Sequence, residues 1–165
     1  MRKEFLAPAV SFAVVILDYI TKKIIQAHVH LMDAINVLPF LKIVHVENTG
    51  GAFGVFSGIS NKIFISISLA AIVFILIYLL RTAKRLEIIS LSLILGGAIG
   101  NLIDRVMIGK VIDFIDFFVG KWHWPAFNVA DSALTVGIIL FLLANIRQGK
   151  DSKNTQAQRH KGTEG

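Results

Sequence analysis

Five aspartates fall where acids are costly. Asp18, Asp104, Asp113, Asp116 and Asp131 lie within or beside long apolar runs, whereas Glu4, Glu87, Asp151 and Glu164 sit in flanks or tail. An acid in or near a bilayer core is expensive and is a functional candidate by default. The stretch "VIDFIDFFVGKWHWPAFNVADSALTVGIILFLLANI" shows the problem in one place. Asp113 and Asp116 precede an aromatic loop, and Asp131 stands at the mouth of an apolar run. Each acid also has a purely structural account. Asp18 and Lys22 are four residues apart and can pair along a helix. Asp104 adjoins Arg105, which suits a fixed charge network, with Arg105 able to reach into a site. Asn128 and Asp131 have capping-box spacing, and an acid there complements the helix dipole. Asp113 and Asp116, three apart, would share a face of a helix or lie on a solvated loop.

The rest of the composition narrows the chemistry. There is no cysteine, which excludes disulfides, thiol catalysis and cysteine metal sites. The five histidines are scattered without metal-ligand spacing, so no metal centre is expected. His45 and His123 are present, but no G-x-S-x-G elbow accompanies them for a serine triad. What remains is a pair of carboxylates and a water. Two acids held close cannot both ionise, so one keeps its proton. The ionised one takes a proton from water as it attacks a carbonyl, and the protonated one donates to the carbonyl oxygen. That is the chemistry of an aspartic peptidase, and it needs no cofactor.

Such acids must be positioned by membrane-spanning elements. Hydrophobic residues make up 55% of the 165 and charged residues only 17%. The stretch Ile63–Leu80 carries no charge and, as a helix at ~1.5 Å per residue, would be about 27 Å long, close to the thickness of a hydrocarbon core. Four such segments are expected: Phe5–Ile25, Ile63–Leu80, Ile88–Val106 and Val129–Ile146. All must be helical, because unpaired backbone in lipid is prohibitive. The first resembles a signal peptide in its basic start, but Asp18 and Lys22-Lys23 and the lack of a small-x-small cleavage site mark it as a retained helix.

The formal net charge is +6. Much of it sits at Arg2 and Lys3, at Arg81, Lys84 and Arg85, and from Arg147 to Lys161. That places both termini on the cytoplasmic side and explains the charge without a nucleic-acid partner. The long connections 28–61 and 107–128 then face outward. The first reads as strand then turn around "NVLPFLKIVHVENTGGAFG", with Gly50-Gly51 as a tight turn or a point of close ligand approach. The second carries Trp122 and Trp124, which suit a membrane–water interface. Gly96 and Gly100 form a small-xxx-small pattern for close helix contact. Residues 1–149 are expected to be one membrane domain and 150–165 a disordered polar tail. A proton-coupled transporter using Asp18, Asp104 and Asp131 is the principal rival. It calls for midplane acids and an internal repeat, and neither is visible.

Five pieces in order resemble the bacterial lipoprotein signal peptidase (signal peptidase II) family. They are "DYITK" (Asp18–Lys22), "ENTGGAFG" (Glu47–Gly54), "GNLIDR" (Gly100–Arg105), "VIDFID" (Val111–Asp116) and "FNVADS" (Phe127–Ser132). The resemblance implies a mainly α integral membrane protein of four transmembrane helices with a small outward-facing strand-rich cradle. It implies a catalytic pair at Asp113 and Asp131, leaving Asp116 outside it. Asn48, Gly50, Asn101, Asp104, Arg105 and Asn128 would bind substrate or brace the site, and Asp18–Lys22 would be a structural ion pair. The substrates implied are prolipoproteins cut just before a cysteine that carries a diacylglyceryl group, so the partners are lipid-modified prolipoprotein and membrane lipid. The setting implied is the bacterial inner membrane, with the active site near its outer face; the protein is expected to be a monomer. Two positions depart from the family pattern: Tyr19 stands where glutamine is common and Gly51 where alanine is usual.

Overall fold

The computed structural model describes residues 3–50 and 60–161, with side chains for 5–50 and 60–146. Gly51 therefore lies outside the described residues. Four long helices and a small antiparallel sheet follow in the order α1 (Lys3–His28), β1 (Ala34–Leu38), β2 (Leu41–Asn48), α2 (Asn61–Arg81), α3 (Arg85–Met107), β3 (Val111–Val119), β4 (Trp122–His123) and α4 (Val129–Lys161). All four helices are long and apolar enough to cross a membrane, α4 through its stretch Val129–Ile146. The chain is a mainly helical, multi-pass membrane protein.

Helix α3 is the centre of the bundle and packs on α1, α2 and α4. Its glycines make this possible. A Cβ on Gly96 would come within 2.8 Å of Ser11 O on α1, and one on Gly97 within 2.4 Å of Ala130 O on α4. A Cβ on Gly100 would meet Asp18 Oδ2 at 2.7 Å. Close approach of this kind is how helices gain packing energy in lipid, where no hydrophobic effect drives them together. Gly97 and, on α4, Gly137 extend the contact beyond the two glycines that spacing alone marks.

The helix connections place the whole sheet at one end of the bundle. The opposite end carries the tight link from Arg81 to Arg85, where Thr82 Oγ1 donates to the buried Glu87 at 2.5 Å. Strand order is β1-β2-β3-β4. β1 and β2 form a hairpin around Pro39-Phe40, with Leu38 opposite Leu41. β2 then pairs antiparallel with β3, across the two intervening helices. Ile112 and Phe114 of β3 bury against Ile25 and Val29 at the end of α1, which fixes the sheet to the bundle.

One reading of the sequence needs correction. Asp113 and Asp116 lie on a strand, so neither a shared helical face nor a loop applies. Three residues apart on a strand, they point to opposite faces. α4 is described as far as Lys161, into the polar stretch that begins at residue 150. Between residues 150 and 161 there is no proline or glycine to end the helix, and Lys, Gln, Ala and Arg are good helix formers.

Candidate active site

Asp131 sits in the first turn of α4. Its backbone N–H donates to Asn128 Oδ1 at 2.8 Å, and its Oδ2 accepts from the Asn128 N–H at 3.3 Å. This is the reciprocal capping box anticipated from the spacing. The remaining oxygen, Oδ1, accepts from Asn101 Nδ2 of α3 at 2.7 Å. The acid thus ends a helix and also faces an open pocket of about 530 Å³.

Asp113 reaches the same pocket from β3. It is 2% exposed, and its oxygens accept from Asn128 Nδ2 at 2.8 Å and Asn48 Nδ2 at 2.9 Å. A one-residue bulge in β2 decides that Asn48 is the donor. Ile43 pairs with Ile115, but Val46, not His45, pairs with Asp113. Without the extra residue, His45 and Glu47 would share the face of Asp113 and Asn48 would point away. The bulge is held by His45, whose backbone bonds with Met32 and Asp33 and whose Nδ1 lies 2.8 Å from Val29 O.

Three asparagine amides frame the two acids, and each is oriented by what its oxygen accepts. Asn48 Oδ1 takes the Gly50 N–H at 3.0 Å, and Asn128 Oδ1 takes the Asp131 N–H. Asn101 Oδ1 takes Lys22 Nζ at 3.3 Å and Asn128 Nδ2 at 3.2 Å. Each NH₂ is thereby turned toward a carboxyl group. An amide flipped the other way would set oxygen against oxygen.

Behind this frame is a buried charge network. Lys22 Nζ lies 2.7 Å from Asp18 Oδ2 and 2.9 Å from Asp104 Oδ2. Asp18 Oδ1 also accepts the Ala130 N–H at 2.9 Å, and Asp104 Oδ2 accepts the Ile112 N–H at 3.2 Å. Neighbours in sequence, Asp104 and Arg105 diverge in space. Asp104 turns inward to Lys22, while Arg105 lines the pocket with its guanidinium over the Phe64 ring. Asn61 of α2 donates to Arg105 O at 2.9 Å.

Burial pushes the Asp113 carboxyl up to about 7, the nearby Asp131 charge adds to this, and the bonds from Asn48 and Asn128 oppose it. A buried carboxyl beside a second acid holds its proton near neutral pH. One protonated acid and one neighbouring acid in a pocket is the arrangement general acid–base hydrolysis requires. The site offers no cluster of metal-ligating groups among the described residues.

Asp116, on the far face of β3, accepts from His123 instead. Sequence reasoning placed Trp124 at the membrane interface, and the structure also puts it in the pocket wall. It missed Phe127, Ser132, Thr135 and Val136 as lining residues. The last three were within reach, since Thr135 lies four residues from Asp131 and Val136 four from Ser132, along one helical face.

Comparison with known proteins agrees along most of the chain. Residues 10–147 match the family model for signal peptidase (SPase) II. A lipoprotein signal peptidase of Thermodesulfovibrio yellowstonii is 42% identical over 137 residues, covering 83% of this chain and 92% of that protein. One from Syntrophotalea carbinolica is 44% identical over 142 residues, covering 82% and 88%. A solved structure described as a bacterial membrane enzyme matches with a TM-score of 0.82 at 34% identity, covering 88% of this chain and 90% of its own. The sequence pieces, the helix-and-sheet architecture and these matches have one reading: the chain belongs to the signal peptidase II family.

Proposed function

We propose that the protein is an aspartic endopeptidase that removes the signal peptide from diacylglyceryl-modified prolipoproteins, cutting before the lipidated cysteine. The observation that carries this is the meeting of Asp113 and Asp131 in one pocket, each held by asparagine N–H donors. In this reading Asp131 is the ionised base. It lies at the positive end of the α4 dipole and accepts two N–H bonds. It draws a proton from a water that attacks the scissile carbonyl. Asp113 carries the shared proton and gives it to the carbonyl oxygen, and the pair then returns a proton to the leaving amine. Asn48, Asn101 and Asn128 aim the carboxyl groups, Gly50 sets Asn48, and Asp104 braces the start of β3. Arg105 faces the polar part of the substrate, either a backbone carbonyl or the glyceryl ester.

The lining of the pocket supports a lipidated substrate. Val136, Trp124, Pro125 and Phe127 give apolar walls beside the acids. Burying acyl chain there would contribute about 25 cal/mol per Å². The basic residues at the bundle end opposite the sheet support cytoplasmic termini in the bacterial inner membrane, with the site near the outer face. The reading takes the protein as a monomer without metal. The test is incubation of purified protein with a lipidated prolipoprotein. Cleavage is expected with the lipid, far more slowly without it, and unchanged by chelators. Normal cleavage by both Asp113→Asn and Asp131→Asn, folded in the membrane, would sink the aspartic mechanism.

A further inference from the structure

The pocket has a wall whose placement nothing in the two-acid chemistry explains. Trp124, Pro125, Ala126 and Phe127 close it on the sheet side, opposite Ser132, Thr135 and Val136 of α4. This segment leaves β4 immediately after His123. It then runs back along β3, with Trp124 N–H donating to Phe117 O at 2.8 Å and Phe127 N–H to Ile115 O at 3.0 Å. His123 is the residue from which it departs.

His123 is held on the face of β3 turned away from the pocket. Its Nδ1 lies 2.8 and 3.0 Å from the two oxygens of Asp116. Its ring stacks on Phe118 at 5.3 Å and 16°, and Phe118 also carries Lys42 Nζ at 4.5 Å from its centroid. Lys42 is the cross-strand partner of Asp116. Asp116 is 8% exposed, so it sits in the sheet as a fixed acceptor, while His123 is 43% exposed and reaches it from the β4 turn. A hydrogen bond to a nearly buried carboxylate is among the stronger kinds. β4 is only two residues long, and beyond it the segment is tied to β3 by the backbone bonds at Trp124 and Phe127 and by the Phe117–Phe127 ring stack, so the Asp116–His123 bond is the side-chain anchor at its β4 end.

We propose that Asp116 and His123 are a positioning pair for the peptidase reaction: their bond across the back of the sheet sets the Trp124–Phe127 wall against α4 and so determines how tightly the lipidated substrate is held. Neither residue touches the substrate. The pair acts on binding and leaves the Asp113–Asp131 chemistry unchanged. This rests on the peptidase reading above.

The experiment measures KM and kcat with a lipidated prolipoprotein for His123→Ala, Asp116→Ala, their double variant and Asp116→Asn. His123→Ala should raise KM roughly tenfold, the effect of losing one bond to a charged group, with kcat within about twofold. The double variant should be no worse than either alanine variant, because the pair acts as a unit. Asp116→Asn should stay close to the unsubstituted protein, since its amide oxygen still accepts the imidazole N–H. A KM unchanged in His123→Ala, or a loss confined to kcat, overturns the proposal. A readout without turnover separates this from failure of the peptidase reading. Hydrogen exchange at the Phe127 amide should speed up roughly tenfold in His123→Ala and stay slow in Asp116→Asn, whether or not the protein cleaves. Unchanged exchange in His123→Ala also overturns it.

Discussion

Helices α2 and α3 lie side by side, yet they solve opposite problems. α2 buries one residue, Ile75, and turns Ile, Leu, Val and Phe outward along its length. α3 buries eleven, among them Glu87, Ser90, Ser92, Gly96, Gly97, Gly100 and Asn101. In water the more apolar helix would be the core. In a bilayer the order inverts, since lipid solvates α2 for nothing while polar and small side chains must find protein. The buried polar groups accordingly gather where α3 meets α1, α4 and β3. α2 contributes only Phe64 against Arg105 and Asn61 bound to its carbonyl, among the described residues.

The contrast can be broken most sharply at the polar junction. Asp113→Asn or Asp131→Asn should each reduce cleavage by more than about 10³-fold, because the two act as one unit. Asp116→Asn should keep substantial activity in the same assay. Lys22→Met comes next. It leaves Asp18 and Asp104 buried without their cation and frees the Asn101 amide to flip, so a loss of about 3–5 kcal/mol is expected in equilibrium unfolding in detergent. Gly97→Val should cost about 3 kcal/mol in the same measurement, since its Cβ would run into Ala130 O.

A pH series sharpens the comparison further. The folded protein keeps a proton on Asp113 that the unfolded chain gives up near pH 4, because burial holds this carboxyl up to about 7. The native state therefore binds more protons across that window. Its stability should fall as pH rises from about 4 to 7 and level off above. Asp113→Asn should lack that slope. Cleavage should decline above about pH 7, as the acid loses its proton. The smallest effect belongs to α2. Ile67, 61% exposed, should tolerate Ile67→Leu within about 0.5 kcal/mol and with full activity.

How much of this could be read from the chain depends on the distance over which a residue acts. The four spans were legible because each is a local apolar run. The Asn128–Asp131 cap was legible because its partners are three residues apart. Gly96 and Gly100 announced a contact without saying that one faces α1 and the other reaches both Asp18 and Ala130. The strand at Val111–Val119 was misread because its first four residues and Asp116 are buried on both faces, which removes the alternation a half-buried strand shows. The β2 bulge, the Lys22–Asn101 bond and the Asp116–His123 pair all depend on partners set by tertiary pairing, and no local pattern marks them. The family resemblance pointed to Asn48 and Asn101 as site candidates, which spacing alone could not.

The box between Asn128 and Asp131 has one more consequence. The bond from the Asn128 N–H that helps to stop α4 from fraying also points the Asp131 carboxyl into the pocket. Fraying at that end would thus take away one of the two bonds that aim the carboxyl, the Asn101 bond to Oδ1 being the other. A cap contributes about 1 kcal/mol, which raises the ratio of closed to frayed first turns roughly fivefold. On warming, that ratio should decline well before the bundle comes apart, so heat should silence the enzyme first at one helix end, reversibly, while the four spans remain assembled.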